Sequence, residues 1–361
     1  MIYYFLDVRE DYLSSASYNR VRLFSEGFSE QLIKCKICLL YFSNKRIVKL
    51  LFYAFNLIKV LFILLRLTKN DVAIFYDISH YYYLFGLFAK KTNLVVEMTE
   101  YPHHIIVENI GAHYKKLSLQ NCINYKYASL FVTCSSYLKK FYSEYVKDVY
   151  VAPLIVNVNE LRLKKRNENF CNYEYLAYCG SFVNNKDGVP NLLEAFSLFH
   201  KDYPDIKLVL IGSGDEKSLT EIKAIIEQLN INQSVVMTGA LKHEDVLDWL
   251  VNAEMLLLAR PNNKQAEGGI PSKVGEYLAS GVPCVITKTG DLPSYLHDGE
   301  DVFLCEPDNI QAFYRRMKDC YEADGKSVGV QGIKASLQFD YIEQASKLAS
   351  CLKNKFDITL K

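Results

Sequence analysis

The chain has 361 residues, of which 50% are hydrophobic and 23% charged, with a net charge of +1. That length exceeds one comfortable core and suits two domains. The near-neutral balance excludes a polyelectrolyte, so nucleic acid is not an expected partner. Charge is unevenly spread, cations leading by about six up to Glu160 and trailing by about five beyond it. The ten cysteines stand singly in apolar segments such as Tyr178-Cys179-Gly180, a distribution of buried thiols in a reducing compartment. Cys35 and Cys38 have metal or redox spacing, which carries little weight without a second pair. The first apolar run meets Asp7, Arg9, Glu10 and Asp11, so no cleavable leader is read and a cytoplasmic setting is expected.

Up to Val151, short apolar runs alternate with helical segments, the pattern of a parallel sheet covered by helices. Residues 2–6 form the first expected strand, and a helix carrying Arg20 follows it. Loops after strands line the ligand crevice of such sheets, so Arg20 is a candidate for an acceptor anion or else a solvated helix residue. Residues 37–41 give the second strand and 46–67 a long helix. Its sequence, IVKLLFYAFNLIKVLFILLRL, is apolar enough to raise a transmembrane reading. Lys45, Lys49, Asn56, Lys59 and Arg66 fall along one side at helical spacing, and cations along its length disfavour spanning. Two readings remain: a core helix with a solvated basic edge, which is the expectation, and an interfacial helix in peripheral contact with an anionic membrane.

Residues 72–76 and 94–98 are further strands. The second runs into Glu100, His103 and His104, a carboxylate and imidazoles at the carboxyl end of a strand, suited to base or hydrogen-bond acceptor chemistry. No third ligand falls at a helpful spacing, so no metal site is expected. Residues 130–134 and 149–151 close the first domain, with Ser135 or Ser136 capping the helix between them. The polar stretch from 156 to 174 reads as a connector. The expected organisation is 1–160 for an acceptor domain, 161–330 for a donor domain, and 331–361 for a C-terminal helix that packs back across the domains.

In the second half, a strand ending at Gly180 leads to a turn-rich loop holding Ser181 and Lys186, then an amphipathic helix. Strand 207–211 precedes GSGD, where Gly212 and Gly214 allow a tight turn. Arg260 is just past strand 255–258, at a crevice position. The stretch PNNKQAEGGIPSKVGEYLASGVP, 261–283, then joins a loop with Gly268 and Gly269, a helix with Ser272 as its N-cap, and a stop at Gly281 and Pro283. Backbone N–H groups at such a helix start favour a phosphate. Lys273 adds a cation, and Glu267 and Glu276 add acceptors for hydroxyl groups. A diphosphate beside a polyol describes a nucleotide sugar; a solvated loop before an ordinary amphipathic helix is the bland alternative.

CGSFVNNKDGVPNLLEAF, LVLIGSGD, VVMTGALKHEDV, LLLARP and EGGIPSKVGEYLASGVPCV occur in this order between Tyr178 and Cys305. With these motifs the chain resembles the retaining glycosyltransferases of family four, of GT-B architecture. The resemblance implies an α/β fold of two facing Rossmann-like domains with parallel sheets and an interdomain cleft. It implies a metal-independent, hexosyltransferase-type enzyme of bacterial surface polysaccharide or glycolipid assembly, with a nucleotide diphosphate sugar as co-substrate and no bound cofactor. A saccharide or lipid-linked saccharide would be the acceptor. Lys186 would hold the donor diphosphate, Gly239 and Ala240 would lie against the base, Gly269 and Ser272 would receive phosphates, and Glu276 would bind the ribose. Two departures stand out: Gly268 occupies the place of the first family glutamate, leaving Glu267 one residue out, and Ser181 replaces a common arginine. Arg260 and Lys273 would then share the phosphate charge. Glu100 and His103 are the expected catalytic and acceptor-side groups, with Arg20 beside the acceptor. A nucleotide-sugar epimerase and a silent GT-B binding subunit are the alternatives.

Overall fold

Every apolar run read as a strand is a strand in the computed structural model, which describes residues 1–8, 15–42, 46–77, 81–107, 111–167, 169–183, 186–323 and 325–360. Side chains at 46, 47, 82, 83, 85, 103, 113 and 114 are outside the described set. In chain order the first elements are β1 (Ile2–Val8), α1 (Ala16–Glu30), β2 (Cys35–Tyr41), α2 (Arg46–Arg66), β3 (Val72–Tyr76), α3 (Tyr82–Phe88) and β4 (Asn93–Met98). Then follow α4 (His103–Ile106), α5 (Ala112–Asn124), β5 (Leu130–Thr133), α6 (Ser136–Tyr142), β6 (Val149–Val151) and α7 (Val158–Arg162). The next are β7 (Tyr175–Cys179), α8 (Val189–Asp202), β8 (Lys207–Ile211), α9 (Glu216–Gln228), β9 (Val235–Gly239), α10 (His243–Val251) and β10 (Met255–Leu258). The chain continues through α11 (Lys264–Gly268), α12 (Lys273–Ser280), β11 (Cys284–Thr287), α13 (Leu292–Tyr295) and β12 (Phe303–Cys305). It ends with α14 (Ile310–Glu322), α15 (Gly325–Ser336) and α16 (Tyr341–Phe356).

The strands form two six-stranded sheets, ordered β2-β1-β3-β4-β5-β6 and β12-β11-β10-β7-β8-β9, with every pairing parallel. Central strands such as β3, β5, β10 and β11 are buried at every position. Helices on both faces of a parallel sheet impose this, and it explains the continuous apolar runs. The chain divides into two units, residues 1–155 with 340–361, and residues 156–339.

In the first unit, successive strand residues feed opposite cores, as a period of two requires. Phe5, Phe75 and Phe131 join Val60 and Leu64 of α2 and Leu138 of α6. Tyr4, Ile74 and Leu130 join Val21, Phe24 and Phe28 of α1 and Ala345, Leu348 and Leu352 of α16. The C-terminal helix α16 is thus part of the first unit, while α15 stays with the second. The second unit starts at Val156 rather than after residue 160. Val156 N donates to Phe339 O at 3.0 Å, and α7 packs on α12.

Helix α2 corrects the expectation of a core helix with a solvated polar edge. Asn56 is 1% exposed and donates to Tyr41 O at 2.8 Å, and Lys59 Nζ donates to Leu39 O at 2.8 Å. Both acceptors belong to the edge strand β2, whose outer carbonyls need partners. The middle of the polar line, Asn56 and Lys59, therefore turns inward at the sheet edge while Lys49 and Arg66 stay exposed, and much of the apolar surface turns out. Residue 45 lies outside the described residues.

Candidate functional site

Strand order reverses between β10 and β7 in the second sheet, and ligands bind such sheets beyond the carboxyl ends of strands at that point. Asp187 is the organising group there. It is 4% exposed, in the turn between β7 and α8. Lys273 Nζ pairs with its Oδ2, Tyr178 Oη donates to the same oxygen at 2.9 Å, and Arg260 Nε is 3.6 Å from Oδ1. Burial, the largest influence, pushes the Asp187 carboxyl up. Lys273, Arg260 and Tyr178 together outweigh it and hold the group below its ordinary range.

Two glycines make this geometry attainable. A Cβ at Gly180 would fall on Lys273 Nζ and Tyr178 Oη, so glycine lets the lysine cross the end of β7. Gly188 has φ of 72°, and its Cβ would collide with the carbonyl oxygen of Ala259. The turn presenting Asp187 is thereby held against the end of β10. Asp187 and Gly188 were absent from the residues expected at the site; the signal was the Asp-Gly pair in a turn after a strand.

The structure brings several expected residues together. Arg260 is 1% exposed, and its Nη1 donates to Gly269 O at 2.8 Å, linking β10 to the segment before α12. Lys186 is half-buried in the turn, its N donating to Val183 O at 3.3 Å. Ser181 is exposed, and its carbonyl accepts from Tyr178 Oη at 3.1 Å. Gly239 has φ of 73°, and its carbonyl accepts from Gly212 N at 3.0 Å, while the following Ala240 is exposed.

Glu276 projects from the first turn of α12, half-buried and without a hydrogen bond or ion pair among the described residues. Burial, foremost, raises its carboxyl above the ordinary glutamate range; Glu160 acts the same way, and His243 and Lys273 oppose it. His243 Nε2 lies 3.4 Å from Glu160 Oε1. A carboxylate with unused acceptor capacity beside a cation suits a polyol next to an anion.

Three expectations are corrected in this region. Residues 264–268 are a helix, not a loop, because Asn263 Oδ1 accepts from Ala266 N at 2.8 Å and starts α11. Glu267 and Gly268 are both helical, and Glu267 is bound by Lys264 at 2.9 and 3.1 Å. Ser272 stands at the N-cap position of α12 but has φ −56° and ψ −32°, and its hydroxyl makes no capping bond. The turn tightens instead, Val274 N reaching Pro271 O at 3.1 Å and Gly275 N reaching Ser272 O at 3.1 Å.

In the first unit, Arg20 is neither solvated nor available to an acceptor. It is 8% exposed, with Nε at 2.5 Å from Glu97 Oε1, Nη2 donating to Ala152 O at 2.7 Å and Nη1 donating to Pro153 O. Burial lowers the guanidinium from its ordinary range and raises Glu97. Glu100 is half-buried beyond β4, and Tyr142 Oη donates to its carbonyl at 3.0 Å. Its charge, after desolvation, raises the carboxyl of Asp77, which stands at the end of β3, to about 7. His103 opens α4, and its side chain lies outside the described residues.

The family model described as Glycosyl transferases group 1 matches residues 173–323, the region holding the Asp187 network. The N-acetyl-alpha-D-glucosaminyl L-malate synthase of Bacillus anthracis is 30% identical over 118 residues, 33% of this chain and 28% of that protein. The chain spans between 20% and 28% of the length of the first three curated relatives. Among solved structures, sucrose-phosphate synthase from Thermosynechococcus elongatus superposes with a TM-score of 0.75 at 13% identity, covering 99% of both chains. Anabaena HepE in complex with UDP and glucose gives 0.70 at 13% identity, covering 98% of this chain and 99% of that one. Residues 173–323 are therefore similar to the group 1 glycosyltransferases, and the chain has the GT-B fold of two Rossmann-like units.

Proposed function

We propose that the second unit binds a nucleoside diphosphate sugar and that the chain transfers the sugar, with retention at the anomeric carbon, to a hydroxyl acceptor. The observation that carries this reading is Glu276, a half-buried carboxylate with no hydrogen bond among the described residues, one turn from the Lys273–Asp187 pair. Its oxygens accept from ribose hydroxyls. Lys186 and Lys273 face the diphosphate, and stabilisation of the departing diphosphate by cations supplies most of the rate. Gly239 and Ala240 lie against the base, with Gly269 and Ser272 on the phosphate side. The complex of HepE with UDP and glucose supports this donor class.

Glu100, with His103 as second choice, positions the acceptor. The proposed reaction is metal-independent and of the hexosyltransferase type, in a cytoplasmic setting that serves surface polysaccharide or glycolipid assembly. Thermal-shift titration with a panel of nucleotide diphosphates and their sugars tests the donor, since a ligand specific to the folded state raises apparent stability. One nucleotide series is expected to raise Tm. Lys186→Ala and Glu276→Ala are each expected to lower turnover at least about a hundredfold with the fold intact. Wild-type rates in both variants would remove the assignment, and full activity in EDTA is expected.

A catalytically silent binding subunit is favoured by one observation, that Arg260 and Lys273 are both engaged by Asp187. Slow donor hydrolysis during long incubation without acceptor contradicts it. Isomerised sugar under the same conditions identifies an epimerase.

A further inference from the structure

Among the described side chains of α2, six large apolar ones are more than half exposed, at intervals of one, three or four residues. Leu50 is 70% exposed, Leu51 67%, Phe55 63%, Ile58 66%, Phe62 53% and Leu65 60%. On the neighbouring α3, Leu87 is 75% exposed. A contiguous apolar stripe of this kind on a folded protein marks a surface that meets something apolar. We propose that this stripe docks the first unit on an anionic lipid surface, with α2 lying in the interface.

The other side of the helix excludes a spanning arrangement. Asn56 and Lys59 are bonded to carbonyls of the edge strand β2, and Val60 and Leu64 are fully buried in the core of the first unit. Carrying α2 across a bilayer would strip those contacts and draw a sheet edge into hydrocarbon, where unpaired backbone groups are not tolerated. A helix anchored by one face and apolar on the other instead lies along the boundary between headgroups and acyl chains.

The flanking charge identifies the lipid. Between Gln31 and Asn70 the sequence has no Asp or Glu. Lys49, Arg66 and Lys69 are exposed, as are Lys90 and Lys91 after α3. Lys91 Nζ donates to Leu65 O, joining the end of the stripe to this basic cluster. The Arg66 guanidinium lies 3.7 Å from the centroid of the Phe62 ring, so a cation borders the apolar surface directly. An apolar stripe rimmed by cations matches an acyl layer under anionic headgroups. A second copy packed stripe to stripe would bring the same cations together, and like charges oppose that contact.

Co-sedimentation of the full chain with vesicles of phosphatidylcholine, alone or mixed with phosphatidylglycerol, tests the proposal without any sugar donor. Its outcome is therefore separate from that of the transfer reaction. Binding is expected to the mixed vesicles, to weaken as salt rises, and to be slight on phosphatidylcholine alone. Phe55→Ser combined with Phe62→Ser is expected to weaken partitioning at least about tenfold at unchanged Tm. Lys49→Glu with Lys69→Glu should remove the preference for phosphatidylglycerol, which keeps the charge argument testable if the first pair perturbs folding. The proposal is overturned by absence of binding to mixed vesicles or by equal partitioning of wild type and the Phe variant. Resistance to alkaline carbonate extraction, or a dimer that the Phe variant abolishes, overturns it equally.

Discussion

Arg20 illustrates how far one side chain departs from its local context. Its helix is an ordinary amphipathic one, yet the guanidinium is bonded to Glu97, 77 residues away, and to the carbonyls of Ala152 and Pro153. Truncation would leave Glu97 buried and unpaired, so Arg20→Ala is expected to cost about 3–5 kcal/mol. Urea unfolding measures this; a loss below about 1 kcal/mol would mean that water replaces the pair. Glu276 gives a prediction with the opposite logic. Its folded-state pKa is raised, chiefly by burial, so its contribution to stability is full below the unfolded value and is lost as pH rises through the folded value. Glu276→Gln should therefore stabilise the ligand-free protein near pH 8 and leave it little changed near pH 4, as Tm against pH would show. A stability gain independent of pH would contradict that sign. Arg260 was legible because residues just past parallel strands face the crevice, and Lys273 and Glu276 because a helix start favours an anion beside them. Asp187, which pairs with both Lys273 and Arg260, was not, since Lys273 and Asp187 are 86 residues apart in sequence.

Helices show the same division between pattern and placement. The period of α2 revealed a polar line, but a pattern names no neighbour, and the edge position of β2 decided that Asn56 and Lys59 point inward. Helix α11 was read as a loop because Gly268 and Gly269 are turn-forming residues, and the Asn263 cap overrode them. The packing of α1 on α16 rests on a glycine whose role was invisible in the sequence. A Cβ at Gly27 would lie 2.5 Å from Tyr341 O and 2.6 Å from Ala345 Cβ. Gly27→Ala must separate the two helices and is expected to destabilise the first unit by about 1–3 kcal/mol despite the better helix propensity of alanine. An unchanged or raised midpoint of denaturation would show that the helices slide apart without loss.

At the scale of the molecule, the two units differ in how the chain supplies them. The second is one continuous stretch, 156–339, whereas the first needs residues 340–361 to cover the sheet face occupied by α1. A fragment of residues 156–339 is expected to fold cooperatively, and one of residues 1–155 to fold only when 340–361 is restored. Circular dichroism during urea titration would distinguish these, and a cooperative transition in 1–155 alone would refute the dependence. Strand positions, their parallel pairing and the two-unit α/β architecture were determined by the sequence itself, because doubly covered strands are continuous apolar runs punctuated by turns. Tertiary structure alone decided which unit receives α16, which side of α2 meets the sheet, and that Asp187 gathers Tyr178, Arg260 and Lys273. Each of those outcomes is set by groups distant along the chain, whose meeting depends on sheet order and on close backbone approach at Gly27, Gly180 and Gly188.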